Sequence, residues 1–174
     1  MSKVVDFFVK NIFEVPISFY KKHGIKYILS DLDNTLDAYD VSIPSSRVIN
    51  LKEELETNNI KLIIISNNKG KRVSLYSNSL KVNYLANACK PFGNRLRRYL
   101  KDNNIPLEEC LFVGDQLTTD VNCAKSIGVK VMLTDPLVKK DQLTTRFNRL
   151  FDKPRRKRLI KKGILNYLKE EDYE

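Results

Sequence analysis

The chain has 174 residues, of which 42% are hydrophobic and 30% are charged, and its formal net charge at pH 7 is +10. This length and composition favour one domain over residues 1–174 with a packed core, and they argue against global disorder. Three dispersed cysteines and a single histidine, His23, exclude a zinc knuckle and a multi-histidine metal site. The unpaired cysteines also indicate a reducing compartment.

The first segment of the chain, residues 2–22, has an amphipathic pattern that is interrupted near Pro16 and predicts an N-terminal helix. Charges lie within its apolar stretch and no small-residue cleavage site follows, so the segment is not typical of a secretory signal. The sequence contains no run of about 18 uncharged apolar residues, which argues against a transmembrane helix. We therefore expect a cytoplasmic location.

Short apolar runs alternate with helical patterns through the middle of the chain. The five apolar runs are residues 25–31, 61–66, 82–87, 110–115 and 129–134. The four helical patterns are residues 46–58, 70–80, 91–103 and 119–127. Several of the apolar runs are nearly continuous in Ile, Leu, Val and Phe, which is the pattern of strands buried on both faces. Strands that alternate with single helices predict an α/β fold, with a central parallel sheet flanked by helices.

The C-terminal segment, residues 139–170, holds most of the positive charge. Residues 139–162 contain eleven Lys or Arg and two Asp, a net +9 that leaves +1 of the total +10 for the rest of the chain. The cationic residues 155–158 run into apolar residues at helical spacing, which suits contact with an anionic membrane. Two other interpretations stay open, namely helices packed on the sheet and nucleic-acid binding.

A set of residues with chemical potential follows the predicted strands, at the carboxyl edge where parallel α/β sheets bind ligands. The set consists of Asp31, Asp33, Thr35, Ser66, Asn67, Lys90, Gly114, Asp115 and Asp120. Clustered carboxylate oxygens at a partly hydrated position select Mg²⁺, and a cation lets a carboxylate approach a phosphate monoester dianion. Asp31 could then attack phosphorus, while Asp33 could protonate the leaving oxygen and later activate water.

Other residues of the set would contact the phosphoryl group. Ser66 and the backbone N–H of Asn67 could bind phosphoryl oxygens, and Thr35 is a further candidate for substrate binding. Lys90 would neutralise the charge on Asp31 and on the transferring group.

The residues after the fourth apolar run would serve the metal. Asp115, next to Gly114, would hold the ion directly, and Asp120 would support the metal site without contacting the ion. Ordinary structural alternatives exist for several positions. The first two aspartates could form a turn and a helix cap, and Ser66 and Asn67 could belong to an ordinary loop. Lys90 could lie at the surface, and Asp120 could cap the following helix.

The order and spacing of four short motifs resemble those of the haloacid dehalogenase (HAD)-like phosphatases. The motifs read DLDNT at 31–35, ISNN at 65–68, CKP at 89–91 and GDQLTTD at 114–120, within a core of about residues 25–135. This resemblance implies a Rossmann-like fold, Mg²⁺ and an aspartyl-phosphate intermediate on Asp31, with Asp33 as acid and base. It also implies that the metal is held by the Asp31 carboxylate, the backbone carbonyl of Asp33 and Asp115.

The spacing of the motifs leaves no room for an inserted cap domain. Thirty residues separate Thr35 from Ser66, and 22 separate Asn67 from Lys90, enough in each case for one helix and one strand. The family's capless branch acts on large substrates or takes a lid from a partner subunit, so an oligomer is one implication. An open site suits a phosphate presented on a large molecule or a surface.

Within the capless branch the chain resembles the YqeG-like, subclass IIIA proteins, which are akin to the mitochondrial phosphatidylglycerophosphate phosphatases. This resemblance implies a lipid-head-group phosphomonoester as the leading substrate. The basic C-terminal segment would then suit the anionic inner face of a membrane.

Two rival interpretations bear on the function. Cys89 and Arg95 match the C-x₅-R spacing of cysteine-dependent phosphatases, but Pro91 removes a backbone donor that such a phosphate cradle needs. The second rival is a catalytically idle or weakly active HAD-like domain that binds RNA or a protein through its basic segment. The intact motif residues argue against it.

Overall fold

The elements of the fold follow the predicted alternation of strands and helices, in a computed structural model that describes residues 4–138 and 143–173. The strands are β1 (Phe7–Val9), β2 (Tyr27–Ser30), β3 (Lys61–Ile65), β4 (Asn83–Leu85), β5 (Cys110–Gly114) and β6 (Lys130–Thr134). The α-helices are α1 (Ile17–Lys22), α2 (Ser46–Thr57), α3 (Lys71–Leu80), α4 (Asn94–Asp102), α5 (Asn122–Ile127), α6 (Leu143–Lys161) and α7 (Glu170–Tyr173). All five predicted strands are present. Residues 139–142, which open the predicted basic segment, lie outside the described residues.

The six strands form one parallel sheet in the order β1-β6-β5-β2-β3-β4. The central strand β2 pairs with β3 on one side and β5 on the other, so that Ser30 lies level with both Ile64 and Val113. Because parallel strands end at the same edge, the loops that follow β2, β3, β4 and β5 meet there. The predicted α/β class is confirmed.

The core consists of two hydrophobic clusters, and side chains of β2 enter them alternately. Ile28 belongs to one cluster and Leu29 to the other, and both are fully buried. Successive side chains of a strand point to opposite faces of a sheet, so both faces of β2 are covered. This burial explains why the strand sequences are nearly continuous in apolar residues rather than alternating.

The predicted N-terminal helix over residues 2–22 is wrong for most of its length. The chain forms the edge strand β1 and a turn of 3₁₀ helix, and α1 begins only after Pro16. Strand β1 pairs with β6, with Phe8 level with Leu133, and the side chains of Phe8 and Val9 enter different core clusters. A short apolar run fits a strand or a helix equally well, and here the open edge of β6 decides between them.

The other predicted helices are present, two of them with later starts. Helices α2 and α3 lie within a residue of their predicted bounds, whereas α4 begins at Asn94 rather than at residue 91. A turn of π-helix, Leu117–Val121, precedes α5 and replaces the first part of the predicted helix 119–127. Helix α5 ends as predicted at Gly128, whose φ of +80° favours glycine.

The loops that follow β2, β3 and β4 at the carboxyl edge are residues 31–45, 66–70 and 86–93. In residues 4–138, α2 alone links β2 to β3 and α3 alone links β3 to β4, so no separate cap domain covers this edge. Within the described part of the chain, no helix is long and apolar enough to cross a membrane.

The C-terminal region packs on the sheet, because Leu165 is buried in the same cluster as Phe8 and the Leu168 N–H donates to the Phe8 carbonyl at 2.8 Å.

Candidate active site

Lys90 contacts carboxylates from two different loops at the carboxyl edge of the sheet. Its ammonium lies 2.6 Å from Asp31 Oδ1 and 2.7 Å from Asp120 Oδ1, and it also donates to the carbonyl of Ile65 at 3.2 Å. The lysine and both aspartates are buried, which excludes a surface position for Lys90. A buried ammonium is stable only when opposite charges and hydrogen-bond acceptors surround it. The structure therefore brings together the predicted residues that follow β2, β4 and β5.

Three carboxylates form a buried acidic cluster, consisting of Asp31, Asp115 and Asp120. One carboxylate oxygen from each residue lies within 4.8 Å of those of the other two. Three carboxylates and the ammonium of Lys90 carry a formal sum of −3 + 1 = −2 in a place that water hardly reaches. Burying this excess charge is unfavourable unless a cation compensates it. Hard oxygen donors and a residual charge of −2 fit Mg²⁺ or a similar divalent ion.

The pKa values of the buried groups follow from this crowding. Burial raises the pKa of Asp31 well above its usual range, the charge of Lys90 lowers it, and the other two carboxylates of the cluster raise it further. For Lys90, burial lowers the pKa, but the charges of Asp120 and Asp31 outweigh burial, and the net shift is upward. Lys90 therefore stays protonated, while Asp31 readily holds a proton when no metal is bound.

Gly114 explains how the cluster can be so tight. A Cβ atom at this position would lie 2.4 Å from Cγ of Asp120, so any side chain there would collide with the carboxylate. Asp120 uses one oxygen for Lys90 and accepts the Gln116 backbone N–H on the other at 3.0 Å. Both oxygens of Asp120 are therefore engaged within the protein, and its supporting role at the metal stays a prediction.

Asp33 lies in a different environment from Asp31, although only one residue separates them. Its carboxylate accepts hydrogen bonds from Arg72 Nη1 and from Asn68 Nδ2, both at 2.6 Å. Burial raises the pKa of Asp33, the charge and hydrogen bond of Arg72 lower it, and the net shift is upward. A half-buried carboxyl with a raised pKa is suited to exchange protons at neutral pH.

Arg72 and Asn68 are contacts of the site that the sequence reasoning missed. Arg72 also donates to the carbonyl oxygens of Val41 and Ala38, so it fastens the loop after β2 to the start of α3. The only signal in the sequence is their position at the end of β3, where Asn68 is the last residue of the ISNN motif and Arg72 lies four residues beyond it. An arginine in the first turn of a helix is otherwise unremarkable in sequence.

The residues after β3 hold the site together. Ser66 is buried and its hydroxyl accepts the Asn68 N–H at 3.1 Å. The Asn67 side chain donates to the Lys90 carbonyl at 2.9 Å and accepts the Lys90 N–H at 2.7 Å, which joins the second motif to the third. Thr35 is buried beside Asp31, with 3.4 Å between Oγ1 and Oδ2. Phosphate binding by the hydroxyls and by the Asn67 N–H stays a prediction.

The C-x₅-R segment does not form an alternative site. Cys89 is exposed, and Arg95 Nη1 lies 3.8 Å from its sulfur. The Cys89 carbonyl accepts the Phe92 N–H at 3.0 Å and Pro91 has no N–H, so neither Pro91 nor Phe92 offers a free backbone donor to a phosphate beside the sulfur.

Comparison with known proteins identifies the family of this chain. The sequence profile described as "Mitochondrial PGP phosphatase" matches residues 4–138. The chain belongs to this family. It is also 36% identical over 162 residues to the Bacillus subtilis (strain 168) protein described as "Probable phosphatase YqeG", covering 93% of this chain and 94% of that protein. The protein is thus an enzyme, a phosphatase of the HAD superfamily, as the motifs imply.

Solved structures of HAD phosphatases share the fold. The magnesium-, phosphate- and KDO-bound 3-deoxy-D-manno-octulosonate 8-phosphate phosphatase of Moraxella catarrhalis superimposes with a TM-score of 0.54 at 19% identity, covering 68% of this chain and 73% of that chain. A subfamily III A hydrolase from Legionella pneumophila gives a TM-score of 0.51 at 19% identity, covering 70% and 72%. At this identity the likeness establishes the HAD-like architecture.

Proposed function

We propose that this phosphatase hydrolyses phosphate monoesters with Mg²⁺ through a covalent phosphoryl group on Asp31. The observation that carries the proposal is the buried cluster of three carboxylates, two of which contact Lys90. With Lys90 included, the formal charge of the cluster is −2, which calls for a divalent cation. A nucleophilic carboxylate must approach an anionic phosphate, and the cluster sits where a substrate would meet it, at the carboxyl edge.

The residues of the site divide the reaction between them. Asp31 and Asp115, with the backbone carbonyl of Asp33, would hold the ion. When bound, Mg²⁺ would draw charge from the phosphoryl oxygens and screen the nucleophile from them. Asp31 attacks phosphorus as Asp33 gives its proton to the leaving oxygen, and Asp33 then takes a proton from the water that cleaves the acyl phosphate. Lys90 holds Asp31 in position and stabilises the added negative charge.

The proposed substrate is a large or surface-presented phosphomonoester, with phosphatidylglycerophosphate as the first candidate. The family description names PGP, and no cap domain in residues 4–138 restricts access to the carboxyl edge. A sugar or nucleotide phosphate is the alternative. Hydrolysis of phosphatidylglycerophosphate in mixed micelles, compared with a panel of soluble phosphomonoesters, tests this choice. A soluble ester preferred by orders of magnitude would contradict it.

A peripheral contact with an anionic membrane, on its cytoplasmic face, completes the proposal. Helix α6 exposes Leu150 and Phe151 together with Lys157 and Arg158. Each Lys or Arg near an anionic surface contributes about 1 kcal/mol, and exposed apolar side chains favour a bilayer over nucleic acid. The protein should sediment with anionic but not zwitterionic vesicles, salt should release it, and glutamate at 157 and 158 should weaken the binding. Indifference to vesicle charge with salt-sensitive RNA binding would favour the nucleic-acid interpretation.

The Asp31→Asn variant tests the nucleophile. It should fold normally and lose Mg²⁺-dependent hydrolysis of a generic aryl phosphate, because the amide cannot attack phosphorus. Excess EDTA should abolish the activity of the wild-type protein. Full turnover by the variant, or undiminished turnover in EDTA, would show that the reaction takes another route.

The Asp33→Asn variant tests the proton donor. General acid and base catalysis contributes roughly 10²–10⁴-fold. The loss should be large for an alkyl phosphate and smaller for an activated aryl phosphate, whose leaving group hardly needs a proton. Equal losses for good and poor leaving groups would argue that Asp33 has no acid role.

A further inference from the structure

The inner face of α6 makes direct contact with the loop that carries Asp115. Asp152 is buried, and its carboxylate accepts the backbone N–H of Leu117 at 2.6 Å and that of Thr118 at 3.0 Å. These N–H groups belong to the loop and first turn that follow β5, where no strand partner is available to them. The carboxylate of α6 thus caps this loop from outside the sheet.

One turn further along α6, Arg156 contacts the same loop from its other end. Its Nη2 donates to the backbone carbonyl of Asp115 at 2.5 Å, and its Nη1 donates to the carbonyl of Thr134 at 2.9 Å and to Asp135 at 2.8 Å. The side chain is only 13% exposed. Asp152 and Arg156 are four residues apart and so share one face of the helix.

This arrangement separates Arg156 from the cations beside it. Arg155, Lys157 and Arg158 are exposed, whereas Arg156 points inward between the ends of β5 and β6. The run of four cations therefore contains one residue that serves the site and three that face outward.

The contacts bear on the metal because they fix the backbone that follows the Asp115 side chain, at the Asp115 carbonyl and at the N–H groups of Leu117 and Thr118. The backbone before Asp115 is held in β5, which ends at Gly114. The Asp115 carboxylate lies close to two other buried carboxylates, which repel it when no cation is bound. A loop free to relax would move that carboxylate away from the cluster. Hydrogen bonds from a guanidinium and to a carboxylate are among the stronger ones in proteins, and here they hold the loop against that repulsion.

We propose that Asp152 and Arg156 are positioning residues, which hold Asp115 in the geometry that binds Mg²⁺. This inference rests on the proposed function, since it takes Asp115 to be a metal ligand. It assigns α6 a part in the active site, although this helix lies outside the four motifs and beyond residues 4–138 matched by the family profile.

A purely structural role for the two residues would predict a different outcome. If they only attach α6 to the sheet, their loss lowers the stability of the protein but leaves the Mg²⁺ affinity of the folded protein unchanged. Positioning of Asp115 predicts weaker Mg²⁺ binding in a variant that is still folded. Residues that orient metal ligands typically contribute 10–100-fold to metal affinity.

The test uses the full chain and titrates it with MgCl₂ by calorimetry, alongside Mg²⁺-dependent hydrolysis of an aryl phosphate. Arg156→Gln should weaken Mg²⁺ binding 10–100-fold and raise the Mg²⁺ concentration for half-maximal activity in parallel. Arg156→Lys keeps the charge but not the fork of donors, so it should recover part of the affinity. The neighbouring Arg155→Gln, which removes an exposed cation from the same helix, should bind Mg²⁺ as the wild-type protein does.

Asp152→Asn keeps the size of the side chain and gives a second line of evidence, which also serves if Arg156→Gln fails to fold. The amide can still accept from one N–H of the loop, so Mg²⁺ binding should weaken less than in Arg156→Gln. Wild-type Mg²⁺ affinity in folded Asp152→Asn and in the folded Arg156 variants would overturn the positioning role and leave the proposed function standing. A wild-type protein without any response to Mg²⁺ would instead overturn the proposed function and this inference together.

Discussion

Replacing Asp115 by Asn should make the protein more stable without metal and less stable with it. One carboxylate oxygen from each residue of the acidic cluster lies within 4.8 Å of those of the other two. Two like charges 4.8 Å apart repel by about 3.5 kcal/mol at an effective dielectric constant of about 20. The variant removes the repulsion of Asp115 with Asp31 and with Asp120, and it also removes an attraction to Lys90. Asp31 readily protonates in the metal-free protein, which weakens the repulsion. We therefore expect Asp115→Asn to raise the free energy of unfolding by about 1–2 kcal/mol.

Mg²⁺ should reverse this order. A ligand at 100 times its dissociation constant stabilises a protein by about 2.7 kcal/mol. For a chain of this size, 1 kcal/mol corresponds to about 2–4 °C in Tm. The wild-type Tm should thus rise by about 5–11 °C on Mg²⁺ addition, whereas Asp115→Asn should start about 2–8 °C above the wild-type protein in EDTA and respond little.

The change of protein stability with pH is a second test of the charge repulsion in the acidic cluster. Burial raises the pKa of Asp31, so the folded protein holds that proton to a higher pH than the unfolded chain does. The metal-free protein therefore loses stability as the pH rises from the ordinary pKa of an aspartate towards the raised pKa of Asp31 in the folded protein. The excess stability of Asp115→Asn over the wild-type protein should thus be larger near pH 8 than near pH 5.

Thermal denaturation in EDTA and in saturating MgCl₂ measures all of these differences. Asp40→Asn, which removes an exposed carboxylate from the loop after β2, is the matched control and should change neither the metal-free Tm nor the Mg²⁺ response. A lower Tm for Asp115→Asn in EDTA, or a wild-type response of that variant to Mg²⁺, would refute the charge argument.

Two further predictions follow from the geometry. Gly114→Ala puts a Cβ 2.4 Å from Cγ of Asp120, and overpacking of this kind lowers the free energy of unfolding by about 1–3 kcal/mol. The Tm should therefore fall and Mg²⁺ should bind more weakly. An unchanged Tm would contradict the close approach. Burial raises the pKa of the Cys110 thiol to about 12 and that of Cys123 to about 11, whereas Cys89 is exposed. One thiol per chain should therefore react with iodoacetamide in the native state and three after denaturation, and mass spectrometry showing native labelling at either buried cysteine would contradict this.

The strands and the site could be predicted because they rest on the same feature of the sequence. A strand buried on both faces must be nearly continuous in apolar residues, and the first polar residues after it must lie at the sheet edge. This places Asp31 and Asp115 next to each other although 83 residues separate them. Lys90 follows the short and only partly buried β4, where this signal is weaker, and its place in the series of motifs is what identified it.

Contacts that depend on the packing of one element against another could not be read in this way. Strand β1 exists because β6 offers it a free edge, and nothing in its own three residues distinguishes it from a turn of helix. The contact of Arg72 with Asp33 spans 39 residues and depends on how α3 leaves the sheet. The same holds for Arg156, which the sequence shows only as one cation among several.

The different surroundings of Asp31 and Asp33 explain how two neighbouring carboxylates can have opposite tasks in the proposed reaction. Asp31 is paired with an ammonium inside a cluster that a divalent cation would complete, so a bound metal ion would keep it ionised and able to attack. Asp33 is paired with Arg72 and with the neutral Asn68, and burial still shifts its pKa upward, so it can hold a proton until the leaving group needs one. Environments that differ in this way assign the nucleophile and the acid without any difference in residue type.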